Sequence, residues 1–150
     1  MPSIALRPYR GDDLEAAVTL WLRAWDAGMP EIDFSARKDW WQRRWIDELV
    51  PKNSVVVAEA DGEIVGFIVI NPSSGYLDQI AVRPESWGSN VAKTLMREAK
   101  RLARSVTLDV NQSNARAIRF YEREGFVRTG EGVNPLSGKP TFCYAWRPDR

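Results

Sequence analysis

The sequence predicts a single α/β domain spanning residues 1–150, built on a mixed, mostly antiparallel, twisted sheet of about six to seven strands flanked by about four helices. Three segments carry that reading. SVVVAEADGEIVGFIVI, residues 54–70, places two β-branched runs around Asp61-Gly62, the short-range signature of a type I′ hairpin. The run from Leu77 to Ala103, LDQIAVRPESWGSNVAKTLMREAKRLA, is a strand pattern that ends in a Gly-containing turn opening directly onto an amphipathic helix. A third segment, Thr107 to Phe126, reads as a short strand, a polar break and a helix closed by Gly125. With 150 residues, 44% of them hydrophobic, the chain can bury one core and is too short for two ordinary domains.

Taken in order, Ile4 to Arg7 is the expected first strand. Asp12 then starts a helix with Glu15 at the capping-box position and Leu14, Ala17, Val18, Trp21, Leu22 and Trp25 along one stripe. The loop DAGMPEIDF follows, and Ser35 is the expected N-cap of a helix carrying Trp40, Trp41, Trp45 and Leu49. After the hairpin, Gly75 to Val82 forms a strand. The next helix places Val91, Ala92, Leu95, Met96, Ala99, Leu102 and Ala103 at the 3.6-residue period, with Lys and Arg filling the gaps. Strands at Val106 to Val110, Phe126 to Gly130 and Thr141 to Trp146 complete the sheet. No internal repeat, linker or low-complexity stretch interrupts the pattern.

The strand–turn–helix run is a seat for phosphate. The first backbone N–H groups of a helix lack intrahelical partners and stand at the positive end of its dipole, so a diphosphate docks there. Lys93 is the one member of the helix's basic stripe in the first turn; the others read as a solvated face. In the following helix Asn114, Ala117, Ile118 and Tyr121 recur at spacings of three and four, which sets an amide and a phenol on one face.

Two blocks within these segments resemble the GNAT superfamily of acetyl-CoA-dependent N-acetyltransferases. WGSNVA, Trp87 to Ala92, is similar to that family's pyrophosphate loop of Gln or Arg, two residues, Gly, one residue, then Gly or Ala. Asn114, Ala117, Phe120, Tyr121, Gly125 and Phe126 are similar to its downstream pattern. Trp87 replaces the Gln or Arg, and Asn90 replaces the middle Gly. Asn tolerates positive φ better than other non-Gly residues, and the indole N–H of Trp87 is a candidate donor. The resemblance covers about the last half of the chain.

The resemblance implies a GNAT-like fold with acetyl-CoA as acetyl donor, bound by Ile80, Val82, Trp87, Gly88, Ser89, Asn90, Val91, Ala92, Lys93 and Asn114. The strand's backbone would hold pantetheine, and no metal is expected. It implies that Tyr121 protonates the departing thiolate. An amine attacks a thioester only when neutral, whereas an alkylammonium has a pKa near about 10, so a base is needed too. Asp78 is preferred over Glu59 for that task. Simple alternation puts Asp78, Ile80 and Val82 on one strand face.

The expected activity is acetyl transfer to a primary amine of a small molecule or peptide, by direct attack in a ternary complex. The competing reading is a noncatalytic acyl-CoA-binding module of the same fold. A net charge of +1 provides no global field toward nucleic acid or an anionic membrane. RKDWWQRRW interleaves basic and aromatic residues, but Trp41, Trp45 and Leu49 fall four apart and read as one apolar stripe. The start of the chain carries no apolar run of signal-peptide length, no run approaches a membrane span, and a cytoplasmic location is expected. The absence of His and the single Cys143 exclude His-based triads and the usual zinc ligand sets; Cys143 reads as a small buried hydrophobe. By the same resemblance, Trp40 or Trp41 touches the acceptor, and the segments Asp26 to Phe34 and Gly132 to Pro140 shape its pocket. The sequence leaves both the acceptor and a homodimer open.

Overall fold

A computed structural model of the chain describes residues 3–30, 33, 35–135 and 137–148. Within them the expected mixed sheet resolves into two antiparallel ones. The first orders β1 (Ala5–Pro8), β2 (Ser54–Ala60), β3 (Glu63–Ile70) and β4 (Leu77–Val82) side by side. The second places β7 (Pro140–Trp146) between β5 (Val106–Asn111) and β6 (Val127–Val133). An isolated parallel bridge between Tyr76 and Thr107 joins them, with the Thr107 N–H donating to the Gly75 carbonyl at 2.9 Å. Beyond that point β4 and β5 do not pair, and a cavity opens between them.

Four helical segments cover the first sheet and the gap. They are α1 (Leu14–Gly28), α2 (Lys38–Arg44), α3 (Val91–Leu102) and α4 (Ala115–Arg123). After Arg44 the second helix widens into a π turn, Trp45–Leu49, and ends at Val50–Lys52. The expected apolar stripe survives that widening: Trp41, Trp45 and Leu49 are all buried. Trp41 stacks on Trp21 with centroids 4.1 Å apart, and Trp45 stands edge-on to Phe67 at 5.0 Å. Trp41 is therefore core and cannot touch an acceptor, which corrects half of that expectation; Trp40 remains 40% exposed.

Two cores lie on opposite faces of the first sheet. Val57, Phe67, Val69 and Ala81 pack with α1 and α2, while Ile68, Ile70, Leu77 and Val82 pack with Leu95, Met96 and Ala99 of α3. Burial on both faces explains why β3 reads as a nearly continuous apolar run. The hairpin turn has Asp61 at φ 54° and Gly62 at φ 78°, the two positive values a type I′ turn requires.

The helix starts differ from expectation. Glu15 makes no capping contact with Asp12; instead the Asp13 carboxylate accepts the Arg10 N–H at 2.8 Å and a two-pronged pair from Arg7 at 2.8 and 2.9 Å. Asp13 is nearly buried, and an ion-paired acid there answers both the turn and the strand below it. At the start of the second helical region Asp33 accepts the Ala36 N–H at 3.1 Å; the expected Ser35 cap rests on a side chain outside the described ones. Residues 31, 32 and 34 of the expected acceptor loop, and residue 136 of the other, lie outside the described residues. Asp26 to Gly28 belong to α1, and Gly132 and Pro140 to strands, so both loops are shorter than expected.

Candidate active site

The cavity between β4 and β5 has a volume of about 660 Å³ and is bounded by the β4–α3 turn, the start of α4 and the end of α1. Ile80, Val82, Trp87, Gly88, Ser89, Ala92, Lys93 and Asn114 line it, as do Asp78 and Tyr121. Asn90 and Val91 do not; the Val91 side chain is buried against the sheet.

At the turn, the Ser89 N–H is spent on the Ser86 carbonyl and the Thr94 N–H closes the first helical turn on Asn90. The amides of Val91, Ala92 and Lys93 between them are those a helix leaves without an intrahelical partner. Val91 N–H has only a long 3.4 Å contact with Ser89 Oγ. The positive φ of the turn belongs to Gly88 at 81°, whereas Asn90 is helical at −81°. The tolerance of Asn for left-handed backbone is thus not used. The Trp87 indole N–H is also unavailable as a phosphate donor, because it donates to the Val82 carbonyl at 2.9 Å.

In β4 the expected alternation fails at Asp78. Val69 pairs with Gln79 and Ile70 with Leu77, so Asp78 is the extra residue of a β-bulge. The bulge keeps Leu77, Ile80 and Val82 toward α3 and turns Asp78 toward the α2 side, where Arg44 donates to it at 2.8 Å. Gln79 Nε2 donates to the same carboxylate at 3.1 Å, leaving its own buried Oε1 without a partner among the described residues. Glu59, the other candidate base, pairs with Arg7 at 3.2 Å and lies outside the cavity lining.

Tyr121 is almost fully buried between Phe120 and Phe126, and its hydroxyl makes no hydrogen bond to another described residue. Burial pushes the phenol up to about 12, while the nearby Arg116 guanidinium pulls the other way. It therefore stays protonated through neutral pH. Asn114 caps α4 by accepting the Ala117 N–H at 3.2 Å, and its amide nitrogen is uncommitted among the described residues. Asn114 is thus the N-cap of α4, and it also faces the cavity.

Sequence reasoning missed Asp109, Tyr76 and Arg116. Asp109 projects from β5 into the lining and accepts the Tyr76 hydroxyl at 2.9 Å. Burial first, and then that carboxylate, hold the Tyr76 phenol well above its usual range. The alternation TLDVN carried a signal, since it sets Asp109 opposite Leu108 and Val110. Cys143 is half-buried, not a fully buried hydrophobe; its hydrogen bond to Asp109, with some burial, raises the thiol's pKa and keeps it protonated. Arg116, 29 positions beyond Trp87, lies over the indole with 3.6 Å between guanidinium carbon and ring centroid. Among the described residues no helix is long and apolar enough to cross a membrane, and no cluster of three or more His, Cys, Asp or Glu is arranged to hold a metal.

Comparison with known proteins agrees with this fold. Residues 14–126 match the model of the Acetyltransferase (GNAT) family. The peptidyl-lysine N-acetyltransferase YjaB of Salmonella typhimurium is 28% identical over 138 residues, 91% of this chain and 92% of that protein. YiaC of Escherichia coli, also a peptidyl-lysine N-acetyltransferase, is 27% identical over 145 residues, 94% of this chain and 95% of its own length. Among solved structures, apo YjaB from Escherichia coli superposes with a TM-score of 0.79 at 26% identity, covering 96% of this chain and 97% of that one. The PaiA N-acetyltransferase of Thermoplasma acidophilum, solved with coenzyme A, shares the fold with a TM-score of 0.74 at 21% identity over 97% and 99% of the chains. The overall fold is thus a shared one, and with the family model matching residues 14–126 the chain is a member of the GNAT acetyltransferase family.

Proposed function

We propose that the protein transfers the acetyl group of acetyl-CoA to a primary amine by direct attack in a ternary complex, with a peptide lysine side chain the leading acceptor. The observation that carries the reading is Tyr121: a protonated, buried phenol with no hydrogen-bond partner among the described residues, on the wall of a cavity whose other end is a helix start. The residues fit the donor. The free amides of α3 and Lys93 suit a diphosphate, and the edge of β4 facing β5 is unpaired along most of its length, which leaves backbone groups for pantetheine amides. Relatives named peptidyl-lysine N-acetyltransferases favour a peptide amine, and a small-molecule amine keeps the same chemistry.

In this reading the amine approaches from the side of Asp78 and Asp109, loses its proton to a carboxylate directly or through water, and attacks the thioester. Asp78 remains the proposed base, with its carboxylate steadied by Arg44 and Gln79. Tyr121 gives its proton to the departing thiolate and reloads from solvent. Its pKa of about 12 keeps the acid form present at every working pH.

Tyr121→Phe tests the assignment. Loss of a positioned acid is expected to lower kcat by about 10²- to 10⁴-fold, with calorimetric affinity for acetyl-CoA nearly unchanged. Undiminished thiol release by the variant would remove Tyr121 as the acid. Saturable acetyl-CoA uptake with no turnover on any peptide or small amine would favour a binding module instead.

A further inference from the structure

Position 87 of the phosphate turn carries no free donor, because the indole N–H is committed to Val82 and the rest of the ring is apolar. That bond also fixes the ring as a platform. On it rests Arg116, from the first turn of α4, at 3.6 Å. Gly28 at the end of α1 closes the third side: a Cβ built there would lie 3.8 Å from Arg116 Nη2 and 4.0 Å from Trp87 Cη2.

A stacked guanidinium uses its face and keeps its in-plane N–H groups for other partners. For Arg116 those partners are missing. Arg7, Arg23, Arg44, Arg83 and Arg101 each reach a carboxylate, whereas Arg116 has no ion pair or hydrogen bond among the described residues. It lines the same cavity as Gly88, Ser89 and Lys93. Partial burial lowers its pKa, the sign of a cation that has lost water without gaining an anion.

We infer that Arg116, seated on Trp87, grips the diphosphate of acyl-CoA, supplying from α4 the donor that position 87 lacks. The inference rests on the acyl-CoA reading above. The fork of a guanidinium matches two phosphate oxygens, so the pair adds direction as well as charge to the helix start. Two chain segments, the β4–α3 turn and α4, are thereby tied together around the ligand.

The test compares CoA with pantetheine, which keeps the thiol arm and lacks the diphosphate, in wild type, Arg116→Ala and Arg116→Lys. Calorimetry reads CoA affinity and NMR titration reads pantetheine; circular dichroism confirms that each variant is folded. Loss of a charge-assisted contact is expected to weaken CoA by about 10- to 100-fold in the Ala variant, less in the Lys variant, with pantetheine unchanged in both. CoA affinity equal to wild type in Arg116→Ala overturns the inference, as does an equal loss for pantetheine, which would put the guanidinium at the thiol end beside Tyr121. A wild-type protein that binds no CoA would bring down the proposed function itself, a result distinct from either.

Discussion

Gly75 holds the point where β4 and β5 meet before parting, and replacing it with Ala should be the most damaging single-methyl change near the site. Its φ is +78°, and a Cβ built on it would stand 2.1 Å from the Ser105 carbonyl oxygen, where real Cβ contacts stay beyond 3.0 Å. The chains must therefore move apart by roughly 0.9 Å, the difference between those distances. The Thr107 N–H bond to Gly75, now 2.9 Å, would stretch out of hydrogen-bonding range. The left-handed backbone costs Ala about 1–2 kcal/mol, the lost bond about 1 and the overlap about 1–3. The total is about 3–6 kcal/mol, which lowers Tm by about 10 °C or more for a domain of this size. Gly62 and Gly138 have φ of +78° and +74° with nothing within 4 Å of a built Cβ, so Gly62→Ala and Gly138→Ala carry only the backbone cost. Urea unfolding of the three variants compares them directly. Should Gly75→Ala prove no less stable than the two controls, the tight junction between the sheets would be wrong, and with it the account of how the cavity opens.

Two further predictions rest on carboxylates. The hydrogen bonds from Arg7 hold Asp13 below its usual value, against the opposing effect of burial. A depressed folded-state pKa gives stability that is whole above the ordinary carboxyl value near about 4 and is lost as pH falls through the lower folded value; Asp13→Asn should lower stability at pH 7 and flatten the dependence below about pH 4, and an acid limb unchanged in urea unfolding would refute this. Asp109 raises the Cys143 thiol, so Asp109→Asn should lower its pKa and speed alkylation by iodoacetamide at pH 8; an unshifted rate–pH curve would contradict the hydrogen bond.

What the sequence determined by itself is what short-range periodicity encodes. The apolar stripe Trp41, Trp45 and Leu49, the positive-φ turn at Asp61-Gly62, the helix beginning at Val91 and the closure of α4 at Gly125 each depend on neighbours a few residues away. The Gly-containing turn before α3 and the face bearing Asn114 and Tyr121 were legible for the same reason. Tertiary structure alone decided where the chemistry is assembled. A single bulge shifted Asp78 off the face that strict alternation assigns it and delivered it to Arg44, 34 positions earlier. Asp13 took over from the Asp12–Glu15 pair once Arg7 on β1 could reach it, and Trp87 gave its N–H to Val82 and its ring to Arg116. Such partners are distant in sequence, and the free energy that selects them comes from burial and charge pairing in the assembled fold, which no local pattern records.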